Sequence, residues 1–232
     1  MRGPCRPRFQ RYAVILVPSS DLAPAIVFVD ADLVVADKPA GLRSIPAGGE
    51  GRKDCLAARI RARHADARIV HRLDEATSGL VLFARSAEML RRMNHSFRER
   101  MVGKEYQALV HGHVTDEAGE IDLPLAPEPD RNPYQRVDPV HGRRALTRYR
   151  VLERLEVAGA PVTRLALKPV TGRTHQLRVH LMSLGHPILG DPLYAPADSA
   201  ARFGRLHLHA ARLDIIHPRW RTPRRFEREV PF

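Results

Sequence analysis

From Ile26 to Pro218 the sequence is a series of short apolar runs, rich in β-branched residues and cut by turn formers, with only three segments that carry helical spacing. A chain punctuated this way buries its apolar residues mainly by pairing short strands. "IVFVDADLVVADKP" sets two such runs around Asp30 and Asp32 and predicts a hairpin closed off by a Pro-Ala-Gly turn. Further strands are predicted at Arg68 to Val70, Gly79 to Ala84, Glu105 to His111, Glu120 to Leu123, Ala145 to Leu155 and Val162 to Lys168, and in "LHLHAARLDIIHP", which Pro218 ends. The first predicted helix is "DCLAARIRARH", with Leu56 and Ile60 on its apolar face. The second is "SAEMLRRMNHSFRERM", where Leu90, Met93, Phe97 and Met101 fall in helical register and Ser86 can cap the first turn. The third is "RTHQLRVHLMSLG", with Leu177, Leu181 and Leu184 as its stripe and Gly185 as its stop. Helices interrupt the strands without regular β-α-β alternation, so the expected class is α+β, a mixed and largely antiparallel sheet flanked by helices and loops. Residues 1–24 read as a basic tail with one short strand at Ala13 to Val17, residues 25–232 as a single domain, and the Pro-rich stretch from Leu125 to Arg144 as a long functional or mobile loop.

The formal charge of +12 and a sequence pI near 10.7 point to a polyanionic partner, nucleic acid first, because clustered cations attract phosphate backbones and release their counterions. Four lysines stand against an excess of arginine, whose planar fork suits phosphate and base edges. Cys5 and Cys55 are too few for a disulfide framework and fit a reducing compartment. "AVILV" stops at Pro18, short of a secretory signal, and no run approaches a membrane span, so a soluble cytoplasmic protein is expected. His111 with His113, and His207 with His209, form H-x-H pairs that no carboxylate or thiol cluster completes. With no P-loop, dinucleotide fingerprint or H-E-x-x-H motif either, no metal and no cofactor are expected.

"HRLDEATSGLVLF" crowds His71, Arg72 and Asp74 against the turn formers Thr77, Ser78 and Gly79. On these residues alone, Asp74 is equally a turn cap or a catalytic carboxylate. In "TGRTHQLRVH", Arg178 follows Leu177 and so lies at the margin of the apolar stripe, where a guanidinium reaches a buried carboxylate in a bidentate pair.

"HRLDEATSGLVLFA" resembles the H-R-L-D-x-x-T-S-G signature of the RluA family of pseudouridine synthases. Four more segments, "ADKPAGL", "GKEYQALVHG", "TGRTHQLRVHLMSLGHPILGD" and "LHAARLDIIHP", are similar to the family's other landmarks and stand in the same order. The resemblance implies the pseudouridine synthase fold with an active-site cleft across the sheet. It also implies an isomerase that turns uridine in RNA into pseudouridine without cofactor or metal. Asp74 is then the essential carboxylate, which adds to C6 of uracil, attacks C1′ or takes a ribose proton, and Arg178 is the cation that holds it ionised. Tyr106 is the active-site tyrosine, stacked on uracil and serving the C5 proton. Arg72 fills the gap left by the extruded base or holds the flipped conformation, with His71, Arg173, His175 and Gln176 as further RNA contacts. By the same resemblance the chain is a stand-alone enzyme without an S4 domain, a monomer acting on structured RNA: a tRNA anticodon stem-loop, a 23S rRNA stem-loop, or both. A rival reading keeps the fold as a non-catalytic RNA-binding or RNA-folding module. Charge alone marks Arg91, Arg92, Arg98 and Arg100, with the Pro-rich loop, for phosphate contact.

Overall fold

The computed structural model describes residues 24–46 and 53–232; the tail with its strand at Ala13 to Val17 lies outside the described residues. Strands β1 (Ala25–Val29) and β2 (Leu33–Lys38) form the expected hairpin, whose turn is set by Asp30 Oδ1 accepting from the backbone N–H groups of Asp32 and Leu33, both at 2.8 Å. Helix α1 (Leu56–Arg63) starts on Cys55, whose Sγ accepts from Ala58 N, and buries Leu56 and Ile60. Strands β3 (Arg68–Ile69) and β4 (Ser78–Ala84) flank the segment that carries Asp74.

Helix α2 (Ala87–Arg98) is capped by Ser86 Oγ, 3.1 Å from Met89 N. Its buried side chains are Met89 and Met93, whereas Met101, expected on the apolar face, falls beyond the helix end and is half exposed. The helix stops early because Arg100 turns into the left-handed region, at φ 58.

Strands β5 (Gly103–His111) and β6 (Ala118–Asp122) follow. The stretch from Leu125 to Arg144 is no open loop: β7 (Leu125–Pro127) and β8 (Gln135–Val137) pair as a small hairpin, with Asp138 Oδ1 accepting from Val140 N and His141 N behind it. Its prolines hid the strands, being compatible only with edges and turns. Then come β9 (Leu146–Val157), β10 (Ala160–Pro169), α3 (Gln176–Ser183), α4 (Ser199–Phe203), β11 (Leu208–Ile216) and β12 (Pro223–Glu227). Strand β12 escaped sequence reading because its charged run sends only Phe226 inward.

The main sheet runs β1-β2-β4-β11-β5-β10-β9-β6, with β3 on β4 and β12 on β11. Every pairing is antiparallel except β4 with β11, where His209 faces Ser78 and Ala210 faces Gly79. Gly79, at φ 115, is required there, since a side chain would run into the backbone of Ala210. This central parallel contact brings the Asp74 segment beside β5.

Helix α3 departs from the amphipathic expectation. Residues Gln176 to Leu181 are all buried, Arg178 and His180 included, while Leu184 of the expected stripe is more than a third exposed. The polar members tolerate burial because each finds partners: His180 Nδ1 lies 2.9 Å from Thr147 Oγ1 and its Nε2 3.0 Å from Leu123 O. One apolar cluster gathers Leu165, Leu167, Leu177 and Leu181, and a second gathers Val34, Leu56, Ile60, Leu73 and Phe83; Tyr106 packs against both. The junction of the two is where the cleft opens. Among the described residues no helix is long and apolar enough to cross a membrane.

Candidate active site

A cleft of about 350 Å³ is walled by His71 to Asp74, Phe97, Lys104, Tyr106 and the run from Thr171 to Arg178. That volume falls within the range of about 300–1,000 Å³ that holds small ligands. The Asp74 segment is fixed from beneath. Ser44 Oγ donates to Leu73 O at 2.7 Å and accepts from Leu73 N at 3.0 Å. Lys38, fully buried, donates to Pro39 O, Leu42 O and Glu75 O at 2.9, 2.6 and 3.0 Å. Burial pushes this ammonium down to about 7. Gly41 N adds a bond to Glu75 O at 2.8 Å. Asp74 therefore sits on a rigid loop with its carboxylate 29 % exposed at the cleft.

Asp74 Oδ2 lies 3.6 Å from Arg178 Nη1 and 3.9 Å from His175 Nε2. In both pairs the closest approach is to Oδ2. Arg178 does not give Asp74 its bidentate face. Its Nε and Nη2 grip Asp191 Oδ2 and Oδ1 at 2.8 and 2.6 Å, and both side chains are almost wholly buried. The expected bidentate pair exists, but Asp191 holds it, and Arg178 presents only its remaining nitrogen to Asp74. Asp191 also accepts from the backbone N–H groups of Leu193 and Tyr194 at 2.9 and 3.2 Å, which orients the following turn.

Tyr106 stands on β5, opposite Leu167 and Ala210 on its two neighbouring strands, and enters the cleft beside Asp74. Burial, aided by the charge of Asp74, pushes its phenol well above the ordinary tyrosine range. It is a neutral hydroxyl at pH 7.

A family model described as RNA pseudouridylate synthase matches residues 32–183. The chain belongs to that family.

The chain is similar to the dual-specificity RNA pseudouridine synthase RluA of Haemophilus influenzae, 43 % identical over 193 residues that cover 83 % of this chain and 87 % of the relative. To the protein of the same name from Escherichia coli it is 42 % identical over 207 residues, covering 89 % and 93 %. Among solved structures, human RNA pseudouridylate synthase domain containing 1 superimposes with a TM-score of 0.81 at 31 % identity, covering 93 % of this chain and 87 % of that one. Human RNA pseudouridylate synthase domain containing 4 gives 0.69 at 28 % identity, covering 89 % and 88 %. Like its relatives, this pseudouridine synthase is an isomerase acting on RNA.

The remaining residues expected at the site fall into two groups. Arg72 is exposed at the cleft, and Arg173 lies in its rim with Nε donating to Arg144 O at 3.0 Å. His71 lines the cleft but is tied down: its Nε2 accepts from Leu82 N at 3.1 Å, its ring stacks on Phe97 at 4.8 Å, and burial pushes it to about 3, so it is neutral. It braces the strand that follows Asp74 and brings no charge to RNA. Gln176 is buried, with Oε1 accepting from Thr171 Oγ1 and Arg173 N, and Nε2 donating to Leu146 O and Thr147 Oγ1. Its amide shapes the loop at the edge of the cleft. His175, at φ 52, directs Nδ1 at Tyr194 Oη, 2.7 Å away. Each histidine of the two H-x-H pairs is bonded to a separate protein group: Ser199 Oγ, Leu155 O, Arg205 O and Ser78 Oγ in order.

Asp191 and Tyr194, bonded to Arg178 and His175, are the residues of the site that sequence reasoning passed over. Asp191 stands in "LGDPLY", where an aspartate between glycine and proline reads as a turn former. The signal was Arg178 itself, a cation placed to need a buried carboxylate.

Proposed function

We propose that Asp74 carries out the isomerisation, acting through Oδ1 on a uridine extruded into the cleft, with Arg178 keeping the carboxylate ionised. The observation that carries this reading is the placement of Asp74, partly exposed in the cleft that Tyr106 also lines, with its Oδ2 the atom nearest both Arg178 and His175. Tyr106, a neutral phenol, stacks on the uracil and handles the C5 proton through its hydroxyl and water. Arg72 occupies the space the base vacates, a step that offsets an unstacking cost of a few kcal/mol. The substrates are a tRNA anticodon stem-loop and a 23S rRNA stem-loop, by likeness to the dual-specificity relatives, and the enzyme works as a cytoplasmic monomer. Mapping pseudouridine in cellular RNA with and without the gene tests this reading: sites lost in both RNA classes support it, and an unchanged map contradicts it.

The phosphates flanking the target are held by Arg173 at the cleft rim and by Arg100, near enough for its charge to bear on Arg173, with Arg91 and Arg98 extending the track along α2. Arg92 leaves the set, since it donates to Pro218 O and pairs with Glu88. Arg100 occupies the helix-ending position where glycine is usual, at φ 58. Arg173 feels the charges of Arg100 and Arg143, which, after burial, lower its pKa. A left-handed conformation costs a non-glycine residue roughly 1–2 kcal/mol, a strain that an RNA contact explains. Arg100→Gly is therefore expected to hold or raise the thermal midpoint while weakening RNA binding. The slope of log K against log salt should shrink by about 0.7–0.9. Arg221→Gly relieves the same strain at φ 57 in the β11–β12 turn and serves as control. Its salt slope should stay that of the wild type, and equal slopes for all three proteins would remove Arg100 from the phosphate track.

A further inference from the structure

The hairpin β7–β8 is joined to the catalytic carboxylate by a chain of polar contacts that the mechanism above does not use. The backbone N–H of Gln135, first residue of β8, donates to Tyr194 Oη at 2.8 Å. Tyr194 Oη lies 2.7 Å from His175 Nδ1, and His175 Nε2 lies 3.9 Å from Asp74 Oδ2. The rings are packed to hold this line: Tyr194 meets His175 edge to face at 5.6 Å and Tyr134 of the hairpin at 5.8 Å, and the Arg178 guanidinium lies 5.1 Å from the Tyr194 ring centre.

A backbone N–H only donates, so the Tyr194 oxygen accepts from Gln135. The same hydroxyl can accept from His175 Nδ1–H or donate its own proton to Nδ1, and the second arrangement is the one in which a neutral imidazole also points a proton at Asp74. An imidazole that accepts at Nδ1 carries its proton on Nε2 when neutral. Burial lowers the pKa of His175, outweighing the pull of Asp74, so the neutral form is the resident one. Its Nε2–H then faces Asp74 Oδ2, the oxygen that Arg178 also faces. The left-handed backbone of His175, unusual for a non-glycine residue, is what aims the ring between Tyr194 and Asp74.

We propose that Tyr194 is a positioning residue: it transmits the seating of the β7–β8 hairpin to the active site by holding His175 as the Nε2–H tautomer, which confines Asp74 Oδ2 and leaves Oδ1 to the nucleotide. The hairpin tip carries Arg131, whose guanidinium lies 4.2 Å from the Tyr134 ring centre. RNA that touches the tip thus bears on the same chain. The inference rests on the assignment of Asp74 as the catalytic carboxylate.

Tyr194→Phe tests it, since it removes one oxygen and keeps the ring. Two readouts are needed. In RNA-free protein, nitrogen-15 NMR of the imidazoles should show His175 as Nε2–H in the wild type and a mixture with Nδ1–H in the variant. In turnover, kcat should fall about 10- to 100-fold, the scale of a misplaced catalytic group, while the RNA dissociation constant changes by less than about threefold. Wild-type kcat in the variant would overturn the proposal, and so would a lowered kcat with His175 still wholly Nε2–H. If the wild type itself formed no pseudouridine, the catalytic reading would fail. The tautomer measurement, which needs no RNA, would still decide whether Tyr194 sets the imidazole.

Discussion

Asp74→Asn protein is expected to bind its RNA as the wild type does and to make no pseudouridine. The amide keeps the shape of the carboxylate and removes its charge, basicity and nucleophilicity. Turnover should fall at least about a thousandfold, equivalent to about 4 kcal/mol of transition-state stabilisation. Folding should hardly notice. Asp74 is partly exposed, and Arg178 keeps its two short bonds to Asp191, so no buried cation is stripped of its partner. A change in stability within about 0.5 kcal/mol is expected, the ordinary range for a surface position. Single-turnover kinetics, an RNA titration and a thermal melt on the same sample check the three parts together.

Asp191→Ala should behave in the opposite way and unfold the protein far more readily than Asp74→Asn. Asp191 is fully buried, and its removal leaves the Arg178 guanidinium charged inside the protein with only the distant edge of Asp74 for company. Breaking a buried pair from one side costs about 3–5 kcal/mol. For a chain of this size that lowers the thermal midpoint by on the order of 10 °C. The N–H groups of Leu193 and Tyr194 lose their acceptor as well. Pairing the two changes separates stability from chemistry: Asp191→Leu with Arg178→Met removes both charges and should recover much of the lost stability while staying inactive. Differential scanning calorimetry of the two variants beside the wild type measures this. A single Asp191→Ala protein as stable as the wild type would show that the pair bears no structural load.

The contrast between these two aspartates also marks how far the sequence could be read. Local features were legible: the Asp30 turn and the Ser86 cap follow from neighbouring residues. So was the gathering of Asp74, Tyr106 and Arg178, because each lies in a distinct motif. What sequence spacing could not assign was which carboxylate takes which face of Arg178. The margin position of Arg178 demanded a buried partner, and Asp74 was the marked candidate. The true bidentate partner lies 13 residues on, in a turn whose glycine and proline masked it. Gln176 and His71 were read as RNA contacts because they sit in the motifs. The Gln176 amide is bonded to Thr147, Thr171, Arg173 and Leu146, and His71 Nε2 to Leu82, partners that only the folded chain brings near. Helix α3 looked amphipathic for the same reason, since the partners that let Gln176 and His180 lie buried come from β9 and the chain before it.

The central claim, that Asp74 isomerises uridine in RNA, is tested most directly with transcripts of a tRNA and of a 23S rRNA stem-loop carrying tritium at C5 of their uridines. Forming the C5 to C1′ bond releases that hydrogen to water. Wild-type protein should release tritium from its target uridines without added cofactor, and Asp74→Asn protein should release none. Release by the Asp74→Asn protein at the wild-type rate, or none from any RNA by the wild type, would contradict the account.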